Sequence, residues 1–368
     1  MGEAMNKWYI EKGPESDVVI SSRVRLARNF KEYPFPHKTT PELQKEIVEK
    51  TKDSLFSGNQ NMTETFKFIS FATLDMIDKA EFMEKHIVSK ELLESNRYSG
   101  ILLSEDEQIS IMINEEDHLR IQCLAPGMQL SKAWDICNSL DDLLSEKIDF
   151  AWDENIGYLT SCPTNIGTAI RASVMLHLPA LSMTGYIKPV LEALGKLGVA
   201  VRGLYGENTE ASGNMFQLSN QVTLGKSEED ILLSINNIAL QIIEQERGLR
   251  QEILKQNKYR FEDIVYRSYG ILKNARILDT VETLKRLSDL RLGVDLSIIS
   301  DIDITDISEM MLMAQPAGLQ KKAGRLLKPE ERNICRADLV RSMMNKNTKQ
   351  KTENRKQIEE NGEQSFLC

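Results

Sequence analysis

The feature that most limits what this chain can fold into is a change of hydrophobic period near residue 226. Before it, short runs rich in β-branched residues recur: ILLS (101–104), QISIMI (108–113), LRIQCLA (119–125), IGYLT (156–160), VAVRGLY (199–205) and MFQLSNQVTL (215–224). Acidic or glycine-containing turns separate them, which reads as antiparallel strands. Between them lie helical patterns. In 40–57, Thr40 is placed to cap, Pro41 suits the first turn, and Leu43, Ile47, Val48 and Leu55 recur at helical spacing. Leu130, Ala133, Trp134, Cys137, Leu140 and Leu144 form a second stripe, and 164–177 and 186–197 are read as two more helices. Beyond residue 226 strand signals nearly vanish, and helical patterns occupy 227–250, 258–271, 275–291, 304–314 and 329–345. The expected fold is therefore α+β, an antiparallel sheet flanked by helices over 1–250, followed by an all-helical domain over 251–345. The tail 346–368 has almost no apolar residues to offset its ordering entropy and is expected to be disordered.

Charge and cysteine usage narrow the chemistry. With 46 Lys+Arg against 55 Asp+Glu the formal charge is −9, which argues against a nucleic-acid binder, because phosphate contacts need a basic footprint. An anion held here must meet a local cluster of arginines. No apolar stretch approaches the roughly 20 residues needed to span a bilayer, and the first residues lack a signal core, so a soluble cytoplasmic protein is expected. Cys123, Cys137, Cys162, Cys335 and Cys368 are scattered, as are the four histidines, so neither a disulfide framework nor a protein-held metal is indicated.

Four segments remain. In VVISSRVRLARNF (18–30), Arg23 and Arg25 lie two apart on an extended stretch and leave the same face, as a polyphosphate grip or as a solvated strand edge. In MINEEDHLRIQC (112–123), three acids precede His118 and Arg120, which also fits a hairpin tip. In TSCPTNIGTAIRASVMLHLP (160–179), Pro163 would open a helix with Cys162 at its amino end and Arg171 further along. A structural cysteine is the alternative. In VRGLYGENTEASGNMFQLSNQ (201–221), Arg202 and Glu207 surround two glycines in a loop that either closes over phosphates or is simply flexible.

In order, SSRVR, NEEDHLR, CPTNIGT (162–168) and RGLYGE resemble the motifs of the ATP:guanido phosphotransferase family of arginine and creatine kinases. The resemblance implies ATP and Mg²⁺, with Arg23, Arg25, Arg120, Arg171 and Arg202 on the nucleotide phosphates and His86 on the adenine side. It implies that Glu116 and Glu207 engage the reacting guanidinium with Cys162 beside it; Glu115 adjoins Glu116 and is open to confusion with it. Small-guanidine kinases carry a helical domain ahead of SxRVR, whereas here the motif starts at residue 21 and a helical region follows. That arrangement resembles bacterial protein-arginine kinases, which implies a homodimer, protein substrates including a stress-response repressor, an McsA-type activator and a ClpC-type unfoldase that degrades the marked proteins. A kinase of free arginine or another small guanidine and a catalytically silent phosphoarginine-binding regulator are the alternatives. Within 311–341, Arg332, Asn333, Arg336 and Ala337 resemble an allosteric phosphoarginine site of pattern RDxxRA, with Asn333 in place of its aspartate.

Overall fold

The computed structural model describes residues 7–58, 60–203 and 212–345. They divide into two compact units, one of residues 1–211 and 215–249, the other of 212–214 and 250–368. The tail expected to be disordered lies outside the described residues.

The first unit is built on strands β1 (Val19–Arg28), β2 (Phe66–Ser70), β3 (Gly100–Ser104), β4 (Ile109–Ile113), β5 (Leu119–Pro126), β6 (Trp152–Asp153), β7 (Gly157–Tyr158), β8 (Ile170–His177), β9 (Val199–Gly203) and β10 (Met215–Asn220). Eight form one sheet in the order β2-β3-β4-β5-β1-β8-β10-β9; β6 and β7 make a separate hairpin. Every neighbouring pair in the large sheet is antiparallel, as the alternation of strand and turn signals predicts.

Register decides which side chains share a face. Val24 lies opposite Cys123 and Ala172, and Leu218 opposite Val174, so these apolar residues leave one side of the sheet. There they join Ile47, Val48, Ala133, Cys137, Leu140, Ile235 and Ile242 from helices Pro41–Phe56, Leu130–Ser145 and Glu228–Gln256 in one buried core. Helix Pro41–Phe56 begins as read: Thr40 Oγ1 accepts from the backbone N–H of Leu43 at 3.4 Å, and Pro41 occupies the first turn. The opposite side of the sheet is polar toward its β1, β8 and β10 strands and becomes the floor of the site below.

One expected element is overturned. Residues 164–177 are not a helix: after a single 3-10 turn, Pro163–Asn165, the chain turns through Gly167 (φ 113°) and Ala169 (φ 54°) and enters β8. Neither conformation continues a right-handed helix. Arg171 thus leaves a strand. The missed signal is a period of two over 170–177, with Ala172, Val174 and Leu176 turned to the core between Arg171, Ser173 and Met175.

The second unit is helical over Lys258–Asn274, Thr280–Asp295, Ile304–Met313, Pro316–Ala323 and 329–345. Asp279 caps the second of these by accepting from Glu282 N at 2.8 Å, and Asp303 opens the third with a capping box. Phe261, Val265, Leu272, Leu287, Leu290, Ile307, Met310, Ala337 and Val340 form its core. Helices Lys258–Asn274 and Thr280–Asp295 approach closely at Gly293, where an added Cβ would lie 2.3 Å from Val265 Cγ1. No helix among the described residues is long and apolar enough to cross a membrane.

Candidate active site

Five arginines from four strands of the polar sheet face meet at one cavity of about 390 Å³. Antiparallel pairing brings them together: Arg25 lies opposite Arg171, Arg120 opposite Ala27, and Arg202 opposite Gln217. Residues directly opposite in a ladder project to the same side, so Arg23, Arg25, Arg120, Arg171 and Arg202 share it. Cys162, Thr164, Asn165 and Ala169 of the 162–169 loop line the same cavity, as do Glu116 and, from the start of helix Lys90–Glu94, Ser89, Lys90 and Glu91.

This concentration of like charge, together with burial, lowers the guanidinium pKa of Arg23, Arg25 and Arg171. Burial, and then the charges of Arg120 and Arg171, push the Arg23 guanidinium down to about 10. Arg25 is driven well below its ordinary value by burial and by Arg23, Arg120 and Arg171, with Glu115 opposing, and Arg171 is lowered by burial, Arg202 and Arg120. Some donors find protein acceptors: Arg23 Nη2 donates to Gln217 Oε1 at 2.9 Å and Arg171 Nη2 to Ser219 Oγ at 3.4 Å. The buried Nε groups of Arg25 and Arg171 have no hydrogen-bond partner among the described residues. Unsatisfied, mutually repelling donors around a cavity are the arrangement a polyanion relieves.

The two adjacent glutamates part ways. Glu115 is buried; its Oε1 accepts from Arg120 Nη1 at 2.7 Å and from Ser89 Oγ, and its Oε2 accepts from the backbone N–H of Glu116 at 2.8 Å. Its side chain is consumed in fixing Arg120 and the turn. Glu116 faces the cavity with its carboxylate 3.0 Å from Arg120 Nη2, and burial raises its pKa, opposed chiefly by Arg120. Asp117 ties this acidic turn to the cysteine loop: its Oδ1 accepts from Asn29 Nδ2 and from the backbone N–H of Ser161, each at 2.7 Å.

The loop is braced from its other side as well. Thr223 Oγ1 donates to the carbonyls of Thr164 and Ile166 at 3.1 and 2.7 Å, and Gly167 packs so tightly that an added Cβ would sit 2.8 Å from the Thr223 carbonyl oxygen. The Cys162 thiol lies 3.0 Å from Thr164 Oγ1.

His86 sits near enough to Arg23 to feel its charge but does not line the cavity. Burial and then Arg23 lower it to about 4; burial likewise lowers His118, whose Nδ1 accepts from the backbone N–H of Phe30 at 3.0 Å, to about 4. Both are therefore neutral in the folded protein across ordinary pH. Below about 6.5 the unfolded chain takes up protons that the folded one refuses, so stability is full above that value and declines as the pH falls toward 4. Each histidine contributes up to about 3 kcal/mol to this decline. Urea midpoints measured between pH 7.5 and 4.5 are expected to fall accordingly, and His118→Asn should flatten the slope.

Glu207 lies outside the described residues. Among the described residues no group of three His, Cys, Asp or Glu side chains is placed to hold a metal. A cavity walled by arginines does not fit a protein-held cation.

In the helical unit, Arg336 is buried; its Nε donates to the Ala314 carbonyl at 2.7 Å, and its Nη1 to the Leu278 carbonyl at 2.9 Å and to Asn333 Oδ1 at 2.8 Å. Asn333 also accepts at its backbone carbonyl from Leu278 N, 3.1 Å away. The structure thus joins Arg336 to Asn333 inside the unit, buries Ala337 in the core and leaves Arg332 part-exposed.

Sequence reading missed Ser89, Lys90, Glu91, Asn165 and Gln217 at the cavity. The one available signal was the Ser89 cap, whose Oγ accepts from Leu92 N at 3.1 Å and so begins a helix at the cavity wall.

Residues 46–249 match the family model of the ATP:guanido phosphotransferase C-terminal catalytic domain, and residues 258–356 that of the protein-arginine kinase McsB C-terminal domain. The chain is 48% identical to the protein-arginine kinase of Bacillus subtilis (strain 168) over 93% of its own length and 94% of the relative's. Against the protein-arginine kinase of Desulforamulus reducens it is 49% identical, over 92% and 96%. Among solved structures it resembles a lombricine kinase (TM-score 0.56, 22% identity, 66% of this chain and 69% of that one). It also resembles the duplicated taurocyamine kinase of Schistosoma mansoni (TM-score 0.57, 24% identity), 73% of this chain matching 38% of that longer one. At such identities these two likenesses speak to the fold. Motifs, catalytic-domain match and near-half identity along almost the whole length place the chain in the protein-arginine kinase family of ATP:guanido phosphotransferases.

Proposed function

We propose that this ATP-dependent phosphotransferase moves the γ-phosphoryl group of ATP to arginine side chains of proteins. The observation that carries the reading is the single cavity shared by five arginines, Glu116 and Cys162. A guanidinium, with a pKa above about 12, is a poor nucleophile until it loses a proton. Glu116 is placed to orient the planar fork and take that proton, and Glu207 is its proposed second carboxylate. The attacking nitrogen forms a bond to phosphorus as the bond from phosphorus to the β,γ-bridging oxygen breaks, with ADP leaving. Negative charge spread over the equatorial oxygens meets Arg23, Arg25, Arg120, Arg171 and Arg202, so most of the catalysis is positioning and electrostatics. Cys162 stands beside the acceptor. Support for a protein acceptor comes from the 46–49% identity to protein-arginine kinases across both units.

The same resemblance supports a cytoplasmic homodimer that marks substrates for a ClpC-type unfoldase in stress control, assisted by an McsA-type activator. It also supports phosphoarginine recognition around Arg332, Asn333, Arg336 and Ala337. Incubation with Mg·ATP and either an arginine-rich protein or free arginine tests the acceptor. Acid-labile phosphate mapped to protein arginines is the expected result; rapid turnover of free arginine with no protein labelling would replace this reading by that of a small-guanidine kinase.

A further inference from the structure

The loop carrying Cys162 runs between two segments that both leave large apolar side chains in water. On one side is the β6–β7 hairpin, where Trp152 is 54% and Ile156 40% exposed; on the other is the stretch after β10, where Val222 is 46% and Leu224 54% exposed. Backbone contacts bind the three into one layer. Tyr158 N donates to the Gly167 carbonyl at 2.8 Å, and the Cβ position of Gly167 lies 2.9 Å from Leu224 Cα. The Trp152 ring stacks edge-on against Tyr158 with centroids 4.8 Å apart, which holds the indole in place instead of letting it fold away. Single exposed apolar residues are ordinary; here four stand on the two segments that clasp one loop of the cavity.

Its surroundings say what it recognises. Glu154 on the hairpin is exposed, and Glu228 at the start of helix Glu228–Gln256 is close enough to act on Tyr158; Lys226 is the one cation between Leu224 and that helix. An apolar surface with an acidic border is complementary to a polypeptide carrying both arginine and large apolar side chains. The surface is also continuous with the acceptor wall of the cavity, because Thr164 and Asn165 of the clasped loop line that cavity while Thr223 bonds its carbonyls. We infer that this ridge of Trp152, Ile156, Val222 and Leu224 is the docking surface for unfolded substrate, binding apolar side chains that flank the target arginine as its guanidinium enters the cavity. Folded proteins bury such flanking residues, so the surface favours unfolded segments. The inference rests on the protein-arginine reading above and adds where on the catalytic unit the substrate docks.

The test compares two acceptors with the full-length enzyme: reduced, carboxymethylated lysozyme, and the peptide Gly-Arg-Gly, which has nothing apolar to dock. For the double variant Trp152→Ser/Leu224→Ser, KM for unfolded lysozyme should rise about tenfold, the effect of losing a little over 1 kcal/mol of apolar contact, with kcat and the use of Gly-Arg-Gly unchanged. Ile156→Ser, which leaves the Trp152 stack intact, should shift KM the same way by less. Unaltered KM for lysozyme overturns the docking surface and leaves the kinase reading standing. Equal loss on both acceptors overturns it too, since the side chains would then act through the loop; so would a change in oligomeric mass without a change in KM, which would assign the ridge to self-association. If the wild type labels free arginine but no arginine of lysozyme, the protein-arginine reading falls and the surface falls with it.

Discussion

Glu116→Gln is expected to lower kcat by about 10²- to 10⁴-fold while leaving the nucleotide dissociation constant nearly unchanged. Glutamine keeps the shape of the side chain and an oxygen that can still accept from Arg120, so the grip on Arg120 now set at 3.0 Å survives. What disappears is the capacity to take a proton from the attacking guanidinium nitrogen. Because burial raises the Glu116 carboxyl above its ordinary value, the wild-type rate should fall on the acid side at a pH above the usual carboxylate range. The sign is that of a base: activity is full above the folded pKa and is lost as pH falls through it. The neutral histidines, His86 and His118, weaken the fold over part of that same range, so rates are to be taken from brief assays on protein shown to be folded. If Glu116→Gln retains wild-type turnover, proton acceptance at this site is wrong.

Arg25→Met is expected to move stability and affinity in opposite directions. In the free enzyme Arg25 is desolvated, surrounded by Arg23, Arg120 and Arg171, and carries a buried Nε without a partner among the described residues. Methionine of similar length removes that repulsion and the desolvation, so the unliganded catalytic unit should gain about 1–3 kcal/mol, by analogy with replacing buried charges by apolar residues. At roughly 2–4 °C per kcal/mol for a domain of this size, the unfolding transition should rise by several degrees. Nucleotide binding should weaken by about 10- to 150-fold, the worth of one charge-assisted contact to phosphate. Calorimetry with and without ATP reads both effects: the variant melts higher alone and gains less on adding ATP. A variant that melts lower without nucleotide would show that Arg25 supports the fold and is not held at its expense.

The contrast between Glu115 and Glu116 shows where sequence reasoning stops. Both are adjacent acids in one turn, and local chemistry does not separate them. The turn closing β4 to β5, with Asn114 at φ 59°, sends one carboxylate into Ser89, Arg120 and the Glu116 amide and the other into the cavity. Arg171 teaches a related lesson. Pro163 is a sound helix-opening signal, but Ile166 (φ −57°, ψ 141°) leaves helical space after a single turn, Gly167 and Ala169 follow at positive φ, and the alternation beyond them belongs to a strand.

What the sequence determined alone was whatever depends on local period and composition. That includes the antiparallel strands, the capped helices and the passage from α+β to all-helical order; the arginine and glutamate motifs carried their meaning through their resemblance to the ATP:guanido phosphotransferases. What only the tertiary structure decided was which of those side chains meet. Arg25 and Arg171 are 146 positions apart in the chain and directly opposite in the sheet. Strand register is a non-local quantity, set by how the apolar faces of β1, β5, β8 and β10 jointly cover one core, and a shift of one residue in β1 alone would turn Arg23 and Arg25 away from the cavity. The same packing left Trp152, Ile156, Val222 and Leu224 uncovered beside the 162–169 loop, a property of surfaces that no single segment carries.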